Sequence, residues 1–384
     1  MKILYLSHNG IETSLVRSQV LPYLREASLR GIESHVMTFE RDAPGAARPS
    51  ADVAWTGLRA RPGSGLLSKA LDIIRGSILA VRLVRRERAS VIHARSYVAA
   101  AIALVTGIIT RRPFIFDMRG FLGDEYIGSG HWTASDPRYR VLRIAELVLL
   151  RTAAAVVVLT EAAAARLRGT ERYREAVSDK PIVVVRCAVD LKDFRPGVRR
   201  QVPTLVYSGS VASWYFLDEM LAAFRASLGH LPGIRFRFIN RGEHQRILTA
   251  VLASGLDSSQ VEIREADFKE MPDLLAECHV GIVFAHRERS IGASPIKIAE
   301  YLACGVPVVG FDSGAPREVA PPGYGSFVPY GDLEALEALL RAVRRGEAGL
   351  KSAAECVELA GSCYSQEAMV VAYEAIYQRV IEST

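Results

Sequence analysis

Lys297 and Glu300 lie three residues apart in Ser294-Pro295-Ile296-Lys297-Ile298-Ala299-Glu300-Tyr301-Leu302-Ala303-Cys304-Gly305. Together they could hold a phosphate next to a diol. Ser294 is a good N-cap and Pro295 suits the first helical position, so the pattern predicts a helix whose first-turn amides, around Ile296 and Lys297, point at an anion. Lys297 adds a full positive charge there. Glu300, one turn on, falls on the same side, where a carboxylate can accept hydrogen bonds from vicinal hydroxyls such as those of a ribose. The plainer alternative is an i,i+3 surface pair worth about 0.2–0.5 kcal/mol. Gly305 supplies the left-handed C-terminal position, and Pro307 to Phe311 reads as a buried parallel strand.

A second group is Asp117, Arg119, Asp124 and Glu125, which follow the apolar run Phe114-Ile115-Phe116. The C-terminal end of a parallel strand is where such sheets bind ligands. These carboxylates could contact hydroxyls, or they could cap the next helix and pair with Arg119. His93 and Arg95 end the preceding strand, where a lone histidine is either a satisfied core residue or a loop-end ligand contact.

Other chemistries find no support in the motifs. There is no D-x-D pair, and Ser7-His8-Asn9-Gly10-Ile11-Glu12 follows the first strand where a dinucleotide fold would carry GxGxxG, so neither metal nor hydride cofactor is expected. The five cysteines, at 187, 278, 304, 356 and 363, form no CxxC pair or Cys/His group, which argues for a reducing compartment and against structural zinc.

The elements that must position these residues are legible as short β-branched runs alternating with helical patterns, the mark of stacked β-α-β units in an α/β protein. Strands are expected at 3–7, 34–39, 91–94, 114–117, 155–159 and 182–186, then at 204–208, 235–239, 261–264, 280–284 and 306–310. Residues 43–65, rich in Ala, Pro, Gly and Arg, read as loop around a short strand. At 384 residues the chain exceeds one core, and Pro196-Gly197 with Arg199-Arg200-Gln201 marks a linker, so two domains, 1–195 and 196–364, are expected. Residues 366–381 form a long amphipathic candidate helix.

Six segments, in order, resemble the family 4 retaining glycosyltransferases of GT-B fold. They are Ser18-Gln19-Val20-Leu21-Pro22-Tyr23-Leu24; Phe116-Asp117-Met118-Arg119-Gly120-Phe121 with Asp124-Glu125; Val156 to Glu161; Ala188 to Pro196; Tyr207-Ser208-Gly209-Ser210 with Trp214-Tyr215; and the helix at Ser294. The resemblance implies two Rossmann-like domains facing across a cleft, an acceptor domain followed by a nucleotide-sugar domain, with residues 365–384 crossing back to the first. It implies that Ser294, Pro295, Ile296 and Lys297 take the donor pyrophosphate and Glu300 the ribose, with Ser210 at the opening of the second domain. Phe268, in Glu265-Ala266-Asp267-Phe268, falls where relatives hold the nucleobase. Gly10, Arg17, His93, Arg95 and Glu125 are implied on the sugar or acceptor side, and Lys297, Arg119, Asp117 and Asp124 as the catalytic set. Two departures stand out. Gly292 occupies the position of a family glutamate, and Ser210-Val211-Ala212-Ser213-Trp214-Tyr215 lacks the usual cations. Arg17, Arg119, Arg287 and Arg289 are candidate replacements, Arg119 first among them.

Residues 1–195 contain 30 Lys+Arg against 19 Asp+Glu, and residues 196–384 contain 18 against 23. The basic half, densest at Arg82-Leu83-Val84-Arg85-Arg86-Glu87-Arg88 and Arg111-Arg112, could meet anionic lipid or an acidic acceptor, or its charges could be solvated helix ends. Nothing resembles an RNA platform or a recognition helix, so nucleic acid is not an expected partner. Met1-Lys2-Ile3 enters a strand at once, and no apolar run spans a bilayer, so a cytoplasmic protein, at most peripheral on the membrane, is expected. The expected activity is transfer of a sugar, with retention, from a nucleoside-diphosphate donor to a hydroxyl acceptor in surface polysaccharide or lipid-linked glycan synthesis, or on a secondary metabolite. A nucleotide-sugar epimerase and a catalytically weak GT-B binding subunit are the rivals.

Overall fold

The computed structural model describes residues 1–41, 53–61, 65–211, 217–228, 233–284 and 292–383. The expected Trp214, Tyr215, Arg287 and Arg289 lie outside these residues, as does most of the 43–65 segment. The chain forms two compact units, residues 1–188 with 366–384, and residues 189–365. The division falls before the expected break at 195/196, because Val189 and Phe194 already belong to the core of the second unit.

The first unit runs β1 (Lys2–Ser7), α1 (Ser14–Gln19), α2 (Leu21–Leu29), β2 (Glu33–Glu40), β3 (Ala54–Arg59), α3 (Leu66–Glu87), β4 (Val91–Arg95), α4 (Ser96–Thr110), β5 (Phe114–Asp117), α5 (Leu122–Gly128), α6 (Pro137–Thr152), β6 (Ala155–Val158), α7 (Glu161–Gly169), α8 (Glu171–Val177) and β7 (Ile182–Val184). Its sheet is parallel, in the order β3-β2-β1-β4-β5-β6-β7. The central strands β4, β5 and β6 are buried throughout because helices cover both faces. Chain direction reverses between β1 and β4, which makes their C-terminal ends the switch point at which open sheets bind ligands.

The second unit runs β8 (Thr204–Ser208), α9 (Leu217–Leu228), β9 (Arg235–Ile239), α10 (His244–Ala253), β10 (Val261–Arg264), α11 (Met271–Ala276), β11 (Val280–Val283), α12 (Ile296–Ala303), β12 (Val308–Phe311), α13 (Ala315–Val319), β13 (Gly325–Val328), α14 (Leu333–Arg345) and α15 (Ala353–Tyr364). Its parallel sheet has the order β10-β9-β8-β11-β12-β13, with the switch point between β8 and β11. The chain then returns to the first unit as α16 (Gln366–Glu382), whose Val370, Tyr373, Ile376, Tyr377 and Val380 fill one core with α2 and β1.

Strands β12 and β13 also differ from the sequence expectation. Strand β12 starts at Val308 rather than Val306, because the preceding residues finish the helix cap: Gly305 is left-handed at φ 74° and the Val306 amide donates back to the Tyr301 carbonyl at 2.8 Å. Strand β13 was not expected; its four residues, one buried and three half-buried, are too few to show an alternating pattern.

Candidate active site

Helix α12 starts one residue later than its sequence predicts. Pro295, not Ser294, is the N-cap, since its ψ of 104° is extended and the helical turn begins only at Ile296. The positive end of the helix follows β11 in the chain, whose C-terminal end is at the switch point. Ser294 is buried, and Gly292 is buried in the turn before it.

Lys297 is only 7% exposed, and its ammonium lies 4.1 Å from the centroid of the Tyr207 ring, over the face of the last strand residues of β8. A Cβ on Gly209 would come within 3.3 Å of Nζ, so glycine there leaves room for the ammonium beside the β8 loop. Desolvation pushes Lys297 down to about 7 against the attraction of Glu300. The same desolvation pushes Glu300 up to about 7 against the attraction of Lys297. Two groups that water would keep charged are thus held near neutrality, a state that an incoming anion would shift.

The frame around this pair is polar and well tied. The Tyr301 hydroxyl accepts the Ser208 amide at 2.8 Å and lies 3.1 Å from Ser208 Oγ. Tyr301 fits only because Gly281 has no side chain: a Cβ there would come within 2.3 Å of the ring. Asn240 donates to the Gly209 carbonyl at 2.9 Å and to Glu243 at 2.8 Å, and Glu243 accepts the Val211 amide at 2.9 Å. The Tyr207 hydroxyl donates to the Ser210 carbonyl. Ser210 therefore belongs to a loop braced on three sides. Phe268 is exposed and meets Phe194 edge-on at 5.9 Å, so it is not the buried loop aromatic that its sequence equally allowed.

In the first unit Asp117 is the centre of a buried network. Its carboxylate accepts from Arg119 at 3.3 Å and from the Tyr373 hydroxyl at 3.3 Å, faces His93 Nε2 at 3.4 Å, and lies 3.8 Å from Arg95. Burial alone would raise its pKa, but Arg119, then His93 and Arg95, hold it well below the usual carboxylate range. Burial lowers His93 against the pull of Asp117, which keeps the imidazole neutral. Its Nδ1 lies 2.6 Å from the Tyr377 hydroxyl, which bonds to Tyr23, and its ring stacks on Tyr5 at 4.4 Å. Asp117 and His93 are fully enclosed, so their contacts are to protein, whereas Arg119 keeps some exposure and also reaches Cys187 Sγ at 3.2 Å.

The remaining first-unit candidates separate. Asp124 is held by Arg166 and by the Tyr139 hydroxyl at 3.4 Å. Glu125 is pushed up to about 7 by burial and then by Asp124. Arg17 is an exposed partner of Glu12 at 3.4 Å. Gly10 leaves room for Glu40, whose carboxylate oxygen would lie 2.7 Å from any Cβ added there and which accepts the Ile11 amide at 3.0 Å. Tyr301, Tyr373, Tyr377 and the Asn240–Glu243 pair were not singled out from sequence. The one available signal was the i,i+4 spacing of Tyr373 and Tyr377 on an amphipathic stretch.

Residues 16–188 match the family model described as glycosyl transferase 4-like domain, and residues 202–345 the model described as glycosyl transferases group 1. The chain belongs to the GT-B glycosyltransferases. Solved structures show the same fold at low identity. It is similar to sucrose-phosphate synthase from Thermosynechococcus elongatus, with 16% identity, a TM-score of 0.79 and 100% of both chains covered. It is also similar to a glycosyltransferase from Rickettsia africae, with 14% identity, a TM-score of 0.73 and 100% and 99% covered. HepE of Anabaena in complex with UDP and glucose gives 16% identity, a TM-score of 0.70 and 100% and 99% covered. No curated protein matches the sequence. In this glycosyltransferase, no helix among the described residues is long and apolar enough to cross a membrane.

Proposed function

We propose that this glycosyltransferase moves a sugar, with retention, from a nucleoside-diphosphate sugar to a hydroxyl acceptor, using no metal. The observation that carries this reading is the pair of buried Lys297 and half-buried Glu300 on the first turns of α12, beside the β8 loop at the switch point of the second sheet. Lys297 and the helix N-terminus meet the diphosphate, and Glu300 accepts the ribose hydroxyls. As the bond from the anomeric carbon to the β-phosphate oxygen breaks, negative charge builds on that phosphate, and a fixed cation in a desolvated place stabilises it. The acceptor oxygen forms the new bond on the same face, and its proton passes to the departing phosphate. In the first unit Arg119 is the cation proposed to contact sugar or acceptor, with Asp117 and His93 positioning it. A lipid-linked or surface-polysaccharide glycan is the proposed acceptor.

The test is thermal stabilisation by UDP, GDP, dTDP and ADP, with UDP tried first because the HepE relative was crystallised with it. A nucleotide at about 100 times its Kd adds about 2.7 kcal/mol to the folded state. One nucleotide should do so for the wild type and not for Glu300→Ala. Equal shifts in both proteins would remove Glu300 from the donor site, and no shift with any nucleotide would sink the donor-binding reading.

A pH dependence follows from Lys297. Free, its ammonium titrates near 7; a bound diphosphate favours the charged form and raises it. Binding therefore takes up a proton above neutrality. Nucleotide affinity should fall by up to about tenfold per pH unit between 7 and 9. Calorimetry in buffers of different ionisation heat reads that proton directly, and a flat profile with no uptake would contradict the role.

A further inference from the structure

Helices α3, α4 and α6 follow β3, β4 and β5, and the chain crosses the sheet in one direction through all three. Right-handed crossovers then place them on one face of the first unit, α3 beside α4 and α4 beside α6. Their inner sides fill the core, yet their outer sides are not polar. On α3, Ile74 is 57% exposed and Ile78 is also exposed; on α4, Ile108 is 72% exposed next to Ile109; on α6, Ile144 is 61% exposed next to Val148. Each apolar stripe ends in exposed arginine: Arg82 and Arg85 on α3, Arg111 and Arg112 after α4, and Arg151 on α6. The three helices run against the strands, so these arginines share the edge opposite to Asp117 and Arg119. Between α3 and α4 the apolar side chains and Arg82 and Arg85 line a groove of about 400 Å³.

Charge decides what covers this face. The only carboxylates in the three helices are Asp72 and Glu146, both buried, and Glu87, which pairs with Arg86 at 2.7 Å and His35 at 3.4 Å. A second copy of the chain would bring more arginines and no exposed acid of this face to meet them. A nucleic acid would set phosphates against isoleucines. Aliphatic side chains bordered by a row of arginines match a surface that is apolar below and anionic above.

We propose that the outer face of α3, α4 and α6 docks on an anionic lipid bilayer, the isoleucines entering the headgroup–acyl boundary and the arginines binding lipid phosphates. The proposal needs no catalytic chemistry, so it can fail or stand separately from the donor-site reading.

Co-sedimentation of the full chain with phosphatidylcholine vesicles, with and without about 30% phosphatidylglycerol, tests it. Binding is expected only to the anionic vesicles and should weaken at high salt. Arg82→Glu with Arg85→Glu should weaken it about 30-fold or more, at about 1 kcal/mol for each arginine removed. Arg82→Lys with Arg85→Lys should retain it. Ile74→Glu with Ile108→Glu should abolish it at an unchanged unfolding midpoint, since both side chains are already exposed. Equal binding to neutral vesicles, no binding at low salt, or wild-type binding by both glutamate variants would each overturn the proposal. So would a wild-type dimer, seen by light scattering, that Ile74→Glu with Ile108→Glu dissociates, because a second copy would then own the face.

Discussion

Lys297→Met should lower kcat by about 10²–10³-fold, the loss expected when one preorganised charge donor to a leaving group is removed. The same change should leave stability at pH 7 unaltered or raised. The ammonium is desolvated on all sides by protein, and a methionine of similar length removes that cost while still packing on Tyr207. The sign of the pH dependence separates this from general damage. A lysine held near 7 in the folded state and near 10.4 unfolded binds fewer protons when folded, so wild-type stability gains from this group as pH rises through that interval. The methionine variant should lack that gain. Urea unfolding at several pH values together with single-turnover kinetics reads both parts. A variant that keeps wild-type kcat removes Lys297 from the reaction, while one that unfolds would show the lysine to be structural.

Asp117→Asn should have the largest effect on stability, about 3–5 kcal/mol, because it leaves Arg119 and Arg95 buried or partly buried beside a neutral amide. The carboxylate also accepts from Tyr373 and faces neutral His93, so the substitution misaligns partners on three elements at once. Here the folded pKa lies below the unfolded one. The stabilisation is complete above the ordinary aspartate range near 3.9 and is lost as pH falls from there through the lower folded value. The wild type should therefore lose stability on acidification more steeply than Asp117→Asn. A loss under about 1 kcal/mol with unchanged acid sensitivity would mean that the arginines are neutralised elsewhere.

The parts of the fold and site written in local signals were legible. The α12 segment carries a proline start, an i,i+3 charge pair and a terminal glycine, all within a dozen residues, and only the identity of the cap was displaced by one residue. The parallel strands other than β3 and β13 announced themselves as apolar runs. What stayed hidden depended on distant partners. Tyr373 and Tyr377 meet Asp117 and His93 across 256 and 284 residues, so their i,i+4 spacing could mark a shared helix face but not these partners. The enclosure of Asp117 and His93, which confines their contacts to protein, came from the same long-range packing. The apolar outer face of α3, α4 and α6 was obscured for another reason. Helix α4 carries no charged residue from Ser96 to Thr110, so its pattern does not distinguish the side facing the sheet from the side facing out.

The return of α16 to the first unit has a consequence for how this protein is made. Residues 1–188 emerge from the ribosome without the helix that completes their core and hydrogen-bonds their buried histidine and aspartate. The 177 residues of the second unit must be synthesised before that helix exists, about 10 to 35 s at usual elongation rates. Through that interval an apolar groove along α2 stays uncovered, and the second unit, whose sheet is contiguous in sequence, can finish folding before the first. Translation order and folding order can thereby be inverted, and chaperone dependence in this protein should concentrate on its N-terminal half.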